Sequence, residues 1–176
     1  MEQRFGFIHD KMDLKVLILF LLRRLPAPVD RESLMDITLL CDDGVGYFEF
    51  SECLHELLET EHVSLENNMY LVTEKGRLNG EATESGLPYS VRMRAEKAAA
   101  ALSGVLKRDS MISVSHELRQ RGGYTVKLSM SDGIGPVIDM ELLMGDDSQV
   151  KKVESNFRKN AENYYTRIVE LLLEDN

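Results

Sequence analysis

The strongest constraint on the fold is an apolar run near the start of the chain, within LKVLILFLLRRL at residues 14–25. Every residue from Val16 to Leu22 is apolar, so a helix formed by this run has no polar side to turn toward water. The run is far shorter than the roughly 20 residues that a membrane-spanning helix needs. Two arginines and Pro26 follow it, where a signal peptide would carry a cleavage site of small residues. We therefore expect a helix covered on nearly all sides by other elements, and no membrane segment.

Three helices are predicted in the first third of the chain. Asp10 can cap the first helix, and Pro26 ends it. Asp30 can cap the second, since a carboxylate accepts hydrogen bonds from the unpaired N–H groups of a first helical turn. The glycine-containing stretch at 42–46 ends the second helix, and the third is expected over about 47–61.

A β-hairpin is predicted directly after the third helix. Two short apolar strands flank Asn67 and Asn68, and Asn tolerates the left-handed backbone that a tight hairpin turn requires. Beyond the hairpin, the spacing of Gly76, Gly80 and Gly86 indicates a connector. The order in the N-terminal half is therefore helix, helix, helix, hairpin.

The second half of the chain predicts a helix, three strands and a final helix. Apolar residues between Val91 and Val105 recur at the 3.5-residue spacing of a packed helix, and the last helix is expected over about 148–174. Between them, apolar and polar residues alternate as in a sheet with one buried face. The predicted strands are residues 111–118, 124–131 and 137–144. We expect an α+β fold with two domains, 1–84 and 85–176, the second an α-β-β-β-α domain for dimerisation or sensing.

The acidic stretch DDGVGYFEFSECLHELLETEHV at residues 42–63 could suggest a calcium loop between two helices. An EF-hand loop needs oxygen ligands at its first, third and fifth positions and Gly at its sixth. When Gly46 takes the glycine position, Cys41 and Val45 occupy the first and fifth positions. Because two of the required side-chain oxygens are missing, we expect no calcium site.

Other catalytic or metal-binding patterns are also weak. Cys53 and His55 would point to different faces of a helix, and no paired cysteine or histidine spacing supports a zinc site. The turn at 131–136 lacks the lysine and the following helix of a phosphate-binding loop. We expect no catalytic residue, no metal and no cofactor. Cys41 and Cys53 lie within helical patterns, which favours buried free thiols and a reducing cytoplasm.

The segment NNMYLVTEKGR, residues 67–77, has an aromatic residue and Leu ahead of Thr, two variable residues and Gly. These four residues are Tyr70, Leu71, Thr73 and Gly76. The pattern resembles the end of the wing in winged-helix DNA-binding domains of PadR-like and MarR-like bacterial regulators, and the resemblance covers about residues 10–80. The last helix, with NFRKNAENYYTRIVELL, resembles an uncharacterised bacterial family that couples such a domain to a small α/β region.

The resemblance implies that the third helix is a recognition helix for double-stranded DNA in a transcriptional regulator. Lys11 and Lys15 on the first helix could add phosphate contacts. The residues expected to contact DNA are Arg31, Tyr47, Ser51, His55, Asn67, Asn68, Lys75 and Arg77.

The charge of the N-terminal half opposes this interpretation. Residues 1–88 carry 8 basic and 17 acidic side chains, whereas residues 89–176 carry 13 of each. DNA affinity comes mainly from Lys and Arg on phosphates, yet the third helix exposes several glutamates. Two hypotheses stay open: a DNA-binding regulator whose binding is weak or partner-assisted, and a protein-interaction module whose acidic face meets a basic partner. The apolar helices predict a homodimer, and packing of the same helices on each other within one chain stays open as the alternative.

Overall fold

The structure is a computed structural model that describes residue 8 and residues 10–174. The chain divides into two compact units, an N-terminal unit up to Leu106 and a C-terminal unit from Lys107. The division predicted after residue 84 differs from this one because Val91 and Ala95 belong to the core of the N-terminal unit. Among the described residues, no helix combines the length and the apolar character that crossing a membrane requires.

The element order confirms the predicted α+β fold. Three helices and a two-stranded hairpin come first, followed by further helices, a three-stranded antiparallel sheet and a last helix. The elements of the first part are α1 Lys11–Leu22, α2 Arg31–Cys41, α3 Tyr47–Glu59, β1 Val63–Glu66, β2 Met69–Val72, α4 Glu74–Thr83, a 3-10 turn Glu84–Gly86 and α5 Tyr89–Ser110. Those of the second part are β3 Ile112–Leu118, β4 Tyr124–Ser131, β5 Pro136–Met144 and α6 Asp147–Leu173.

Helix α1 is the centre of the N-terminal core, as its all-round apolar sequence predicts. Leu14 and every residue from Val16 to Leu22 are buried. The side chain of Asp10 caps the helix by accepting a hydrogen bond from the Asp13 N–H at 2.8 Å. Side chains from α2, α3, the hairpin and α5 complete this core.

The hairpin has the predicted turn and is attached to the start of α2. Asn67 and Asn68 have φ angles of 51° and 63°, the left-handed pair that suits a two-residue hairpin. Val29 pairs with Tyr70 of β2 through two backbone hydrogen bonds, of 3.1 and 2.7 Å. Since Val29 directly precedes the α2 cap Asp30, the hairpin and the first turn of α2 are joined through backbone.

The connector predicted after the hairpin is wrong, because Gly76 and Gly80 lie within helix α4. Thr73 caps this helix by accepting from the Gly76 N–H at 3.1 Å. A side chain at Gly76 would place its Cβ 1.9 Å from the carbonyl oxygen of His62, and one at Gly80 would come within 2.9 Å of Arg23. The glycines therefore serve close packing of a helix and do not break it.

The C-terminal unit is a β3-β4-β5 antiparallel sheet with α6 packed on one face. Side chains that alternate along β4 are buried beneath the helix, while their neighbours are polar, as the predicted one-sided sheet requires. The core side chains are Ile112, Val126, Leu128, Met130, Val150, Phe157 and Ala161. Asn160 interrupts α6 with a non-helical φ of −137° and ψ of 28°.

Candidate nucleic-acid interface

One row of side chains on α3 gathers three of the residues predicted to contact DNA. Tyr47, Ser51 and His55 follow each other at four-residue spacing, so they line one side of the helix. The Arg31 guanidinium, in the first turn of α2, donates to the Ser51 hydroxyl at 2.5 Å. The same guanidinium lies 5.2 Å from the centre of the Tyr47 ring, within cation–π range. Asp30 determines this position by capping α2 one residue earlier.

The glutamates of α3 that face α1 are paired with its two lysines. Lys11 Nζ lies 2.5 Å from a carboxylate oxygen of Glu52, and Lys15 forms an ion pair with Glu56. The hydrogen bond to Glu52 raises the pKa of Lys11, and the hydrogen bond from Lys15 lowers the pKa of Glu56. Two negative charges of α3 are therefore paired with positive charges within the N-terminal unit. Both lysines are engaged by glutamates of the same unit.

His55, the third residue of the row, lies near a further carboxylate. Its Nε2 is 3.3 Å from Glu59, one helical turn away, and both side chains are exposed. An N–H of the His55 ring can donate a hydrogen bond to a base edge or to a phosphate.

The hairpin tip presents Asn67 and Asn68 to solvent. Tyr70, two residues after Asn68, pairs through its backbone with Val29, so β2 is joined to the segment that leads into Arg31. The two asparagines thus stand beyond the end of the hairpin, as the residues of a wing do in the predicted arrangement.

Lys75 and Arg77 lie on α4, where both have partners within the protein. Lys75 Nζ donates to the Thr60 carbonyl at 2.7 Å, at the C-terminal end of α3, where the helix dipole favours a positive charge. Arg77 donates to both carboxylate oxygens of Glu74, at 2.9 and 2.7 Å, and this contact raises the pKa of Arg77. Neither residue joins the cluster of Arg31 with α3.

The sequence interpretation missed Phe48. Its ring is 86% exposed and packs edge-on against Tyr47, with 5.7 Å between the ring centres. The helical period could have revealed it, because Phe48 stands two positions before the buried Phe50, on the opposite side of the helix. An exposed aromatic ring beside Arg31 and Tyr47 is suited to contact with another molecule.

No group of three or more His, Cys, Asp and Glu side chains is placed to hold a metal ion within residues 10–174. The stretch that could suggest calcium instead forms hydrogen bonds of its own: buried Asp42 accepts from the N–H groups of Ile8 and Gly44 at 2.7 and 2.9 Å. In the turn between α2 and α3, this carboxylate thus serves as the hydrogen-bond acceptor for backbone N–H groups.

The fold and this surface define an α+β protein in which a helix–helix–helix–hairpin unit is followed by a three-stranded sheet and a long helix. The chain belongs to the family described as a domain of unknown function, DUF4364, whose model matches residues 14–172. The match extends over most of both units, so the pairing of the two is a property of the family. No curated protein and no solved structure matches the chain.

Proposed function

We propose that this protein is a winged-helix regulator of transcription that binds double-stranded DNA with α3 in the major groove and the hairpin beside it. The order of three helices and a hairpin supports the proposal, and so does the backbone pairing that joins strand β2 of the hairpin to the start of α2. The major groove of DNA admits one α-helix, and the residues in the N-terminal half of a recognition helix are the ones that contact base edges. Tyr47 and Ser51 occupy that half of α3.

The observation that carries the proposal is the contact of Arg31 with Tyr47 and Ser51. Within the described residues Arg31 has no carboxylate in ion-pair range, unlike Lys11 and Lys15. A guanidinium free of a carboxylate can bind a phosphate or a guanine edge through two N–H groups. Hydroxyls of Tyr and Ser in the same row can bind phosphate or bases without a charge of their own.

The ion pairs of Glu52 and Glu56 reduce the electrostatic repulsion that the glutamates of α3 would otherwise exert on DNA phosphates. With Glu52 and Glu56 each held by a lysine, the side of α3 toward α1 is close to neutral. The gain is limited, because those lysines are then not available to neutralise phosphates. Affinity per protomer is therefore expected to be modest and to depend on few phosphate contacts.

The test is equilibrium binding of a labelled duplex, taken from upstream of the gene that encodes the protein, followed by fluorescence anisotropy at low salt. Arg31→Ala should weaken binding by about tenfold, the loss expected for one charge-assisted contact. Arg121→Ala, which removes the same charge from the exposed turn between β3 and β4, should change it by less than about twofold. Absence of binding by the wild type, or equal effects of the two variants, would refute the proposal.

A second candidate function is supported by exposed apolar side chains that have acidic residues nearby in the sequence. Besides Phe48, Leu40 at the end of α2 is 68% exposed, and Asp36 and Asp43 lie near Leu40 in the sequence. Exposed apolar side chains among carboxylates fit a surface for a basic protein segment. If Phe48→Ala abolished binding of a lysine-rich peptide while wild-type protein bound no duplex, this second function would replace the first.

The proposed location is the bacterial cytoplasm, where a regulator meets DNA. Cys41 and Cys53 are both buried and free. Burial raises the pKa of the Cys41 thiol to about 12, so it stays protonated and unreactive at neutral pH. Free thiols used as packing groups are typical of proteins from a reducing compartment.

A further inference from the structure

A cavity lies in the C-terminal unit between α6 and the sheet. Helix α6 packs more closely on β3 and β4 than on β5, so the β5 side chains that face the helix are only partly buried. The space beside them has a volume of about 290 Å³, at the lower limit of the roughly 300–1,000 Å³ that ligand pockets occupy. Most of its lining is apolar and includes Leu128, Met140, Leu142, Phe157 and Ile168.

Two uncharged polar residues of α6, Asn156 and Tyr164, also line the cavity. Among the described residues, neither the Asn156 amide nor the Tyr164 hydroxyl has a hydrogen-bond partner, and no Asp, Glu, Lys, Arg or His belongs to the lining. The Tyr164 ring lies at 12° to the ring of Phe157, with 6.2 Å between the ring centres. The lining therefore combines an aromatic wall with two polar groups free to form hydrogen bonds, and it carries no charge.

Arg108 holds the helical wall of the cavity across a break in α6. The backbone of Asn160 leaves the helical conformation in the middle of the segment that lines the cavity. Before the break, the Arg108 guanidinium donates to the carbonyl oxygens of Arg158 and Lys159, at 3.2 and 3.1 Å. After the break, it donates to both carboxylate oxygens of Glu162, at 2.7 and 2.8 Å. The two parts of the wall are thereby fixed relative to each other, so the cavity exists before a ligand enters, which favours binding.

We propose that this cavity is a binding site for a small, flat, uncharged aromatic molecule that carries one hydroxyl group. The Tyr164 hydroxyl and the Asn156 amide offer such a group both a donor and an acceptor. An aromatic ring can pack against the wall formed by Phe157 and Tyr164. An ionised ligand is disfavoured, because no opposite charge in the lining offsets the loss of its hydration. The site lies within the C-terminal unit and is independent of the DNA binding proposed above.

A small molecule suits the cavity better than a segment of protein. Eight of the described residues line the cavity, whereas a specific protein interface uses roughly 20–30 residues on each side. Water is held poorly by apolar walls, so its displacement by an apolar ring favours binding. For a ligand of this size we expect a dissociation constant of about 10–1,000 μM.

The first test is equilibrium dialysis of the full chain against 2-naphthol, a bicyclic phenol that is uncharged at neutral pH. The wild type should bind 2-naphthol, and it should bind the ionised 2-naphthoate at least about tenfold more weakly. Leu142→Trp should weaken binding of 2-naphthol by about tenfold or more, since the larger side chain fills the cavity. Leu143→Trp is the matched control, because Leu143 is 65% exposed and points to the opposite face of the sheet. It should change the affinity by less than about twofold.

A second test does not depend on a variant that fills the cavity. Tyr164→Phe with Asn156→Ala removes both polar groups. This double variant should weaken binding of 2-naphthol by about threefold to tenfold and leave binding of naphthalene, which lacks the hydroxyl, almost unchanged. Tyr165→Phe with Asn163→Ala makes the same chemical changes at residues of α6 outside the lining, so it should affect neither ligand.

The proposal is overturned if the wild type fails to bind 2-naphthol at concentrations above the expected dissociation constants, or if Leu142→Trp and Leu143→Trp cause equal losses. Equal weakening of naphthalene and 2-naphthol by the first double variant would overturn the role given to the two polar groups. An affinity for 2-naphthol that falls as the protein concentration rises would show that a second copy of the chain fills the cavity, and it would also overturn the proposal.

Discussion

The two units differ in how completely their central helices, α1 and α6, are buried. In the N-terminal unit α1 is enclosed by other helices and the hairpin, and every residue from Val16 to Leu22 is buried. In the C-terminal unit one helix covers one face of a three-stranded sheet, and Leu171 and Leu172 stay exposed. The core of the first unit is enclosed by its own elements, whereas the last turns of α6 in the second unit leave apolar side chains exposed. In the function that we propose, the first unit is the one that contacts DNA.

The largest effect that separates the units is expected from leucine truncation. Leu17→Ala should lower the free energy of unfolding by about 2–5 kcal/mol, since it leaves a cavity in an enclosed core. Leu172→Ala should lower that of the monomer by less than about 0.5 kcal/mol, because this side chain is exposed in one chain. Urea unfolding at low protein concentration measures both. Similar losses for the two variants would mean that the uncovered stripe of α6 is covered within one chain after all.

A smaller effect is expected from two glycines of the N-terminal unit. Gly76→Ala should destabilise the protein by about 1–3 kcal/mol, because the new Cβ would collide with the backbone of His62. Gly104→Ala is the matched control in α5: no atom lies within 4 Å of its added Cβ, so it should stabilise by about 0.5–1 kcal/mol. Thermal unfolding measures the two shifts, and opposite signs are the expected result. Equal signs would argue against close packing of α4 on the turn before β1.

These glycines also show where prediction from sequence succeeded and where it could not. Helix caps and the Asn67–Asn68 turn depend on neighbouring residues, so local chemistry predicted them correctly. Helix α4 was missed because glycine usually interrupts helices, and its role here is set by the distant His62 carbonyl.

The same limit applies to the candidate site. The α3 row of Tyr47, Ser51 and His55 follows from helical spacing alone, and the sequence predicted these residues. The pairing of Lys11 with Glu52 joins residues more than 40 positions apart, which no local pattern specifies. For this reason Lys11 and Lys15 were predicted as possible phosphate contacts, although the structure directs them to glutamates.

A change on α3 tests the charge balance of the surface that we propose to bind DNA. Glu52→Gln with Glu56→Gln removes two negative charges and releases Lys11 and Lys15 from their ion pairs. Duplex affinity at low salt should rise by roughly threefold to tenfold. Glu117→Gln with Glu141→Gln, which removes two charges near Lys127 in the C-terminal unit, should have a much smaller effect. Equal gains from the two double variants would show only a general effect of net charge.

The smallest expected effect is a pH dependence from His62. Asn79 donates to His62 Nε2 at 2.6 Å, and Nδ1 donates to the Thr60 hydroxyl at 2.8 Å, so the neutral ring satisfies both partners. Burial, with the positive charges of Lys75 and Lys15, lowers the pKa of His62 below its ordinary 6.5.

The sign follows from proton binding. As pH falls below 6.5, the unfolded chain takes up a proton at His62 before the folded protein does, so stability decreases toward the lower folded pKa. Urea midpoints between pH 7.5 and pH 5.5 should fall less steeply in His62→Gln than in the wild type. Parallel slopes would mean that His62 titrates alike in both states.

The central claim, that α3 and Arg31 bind duplex DNA, is tested most directly by the salt dependence of binding. Each phosphate contact contributes about −0.9 to the slope of log K against log salt concentration. The account predicts a shallow slope for the wild type and a slope smaller by about 0.9 per bound protomer in Arg31→Ala. No binding at the lowest salt concentration, or an Arg31→Ala slope equal to that of the wild type, would contradict it.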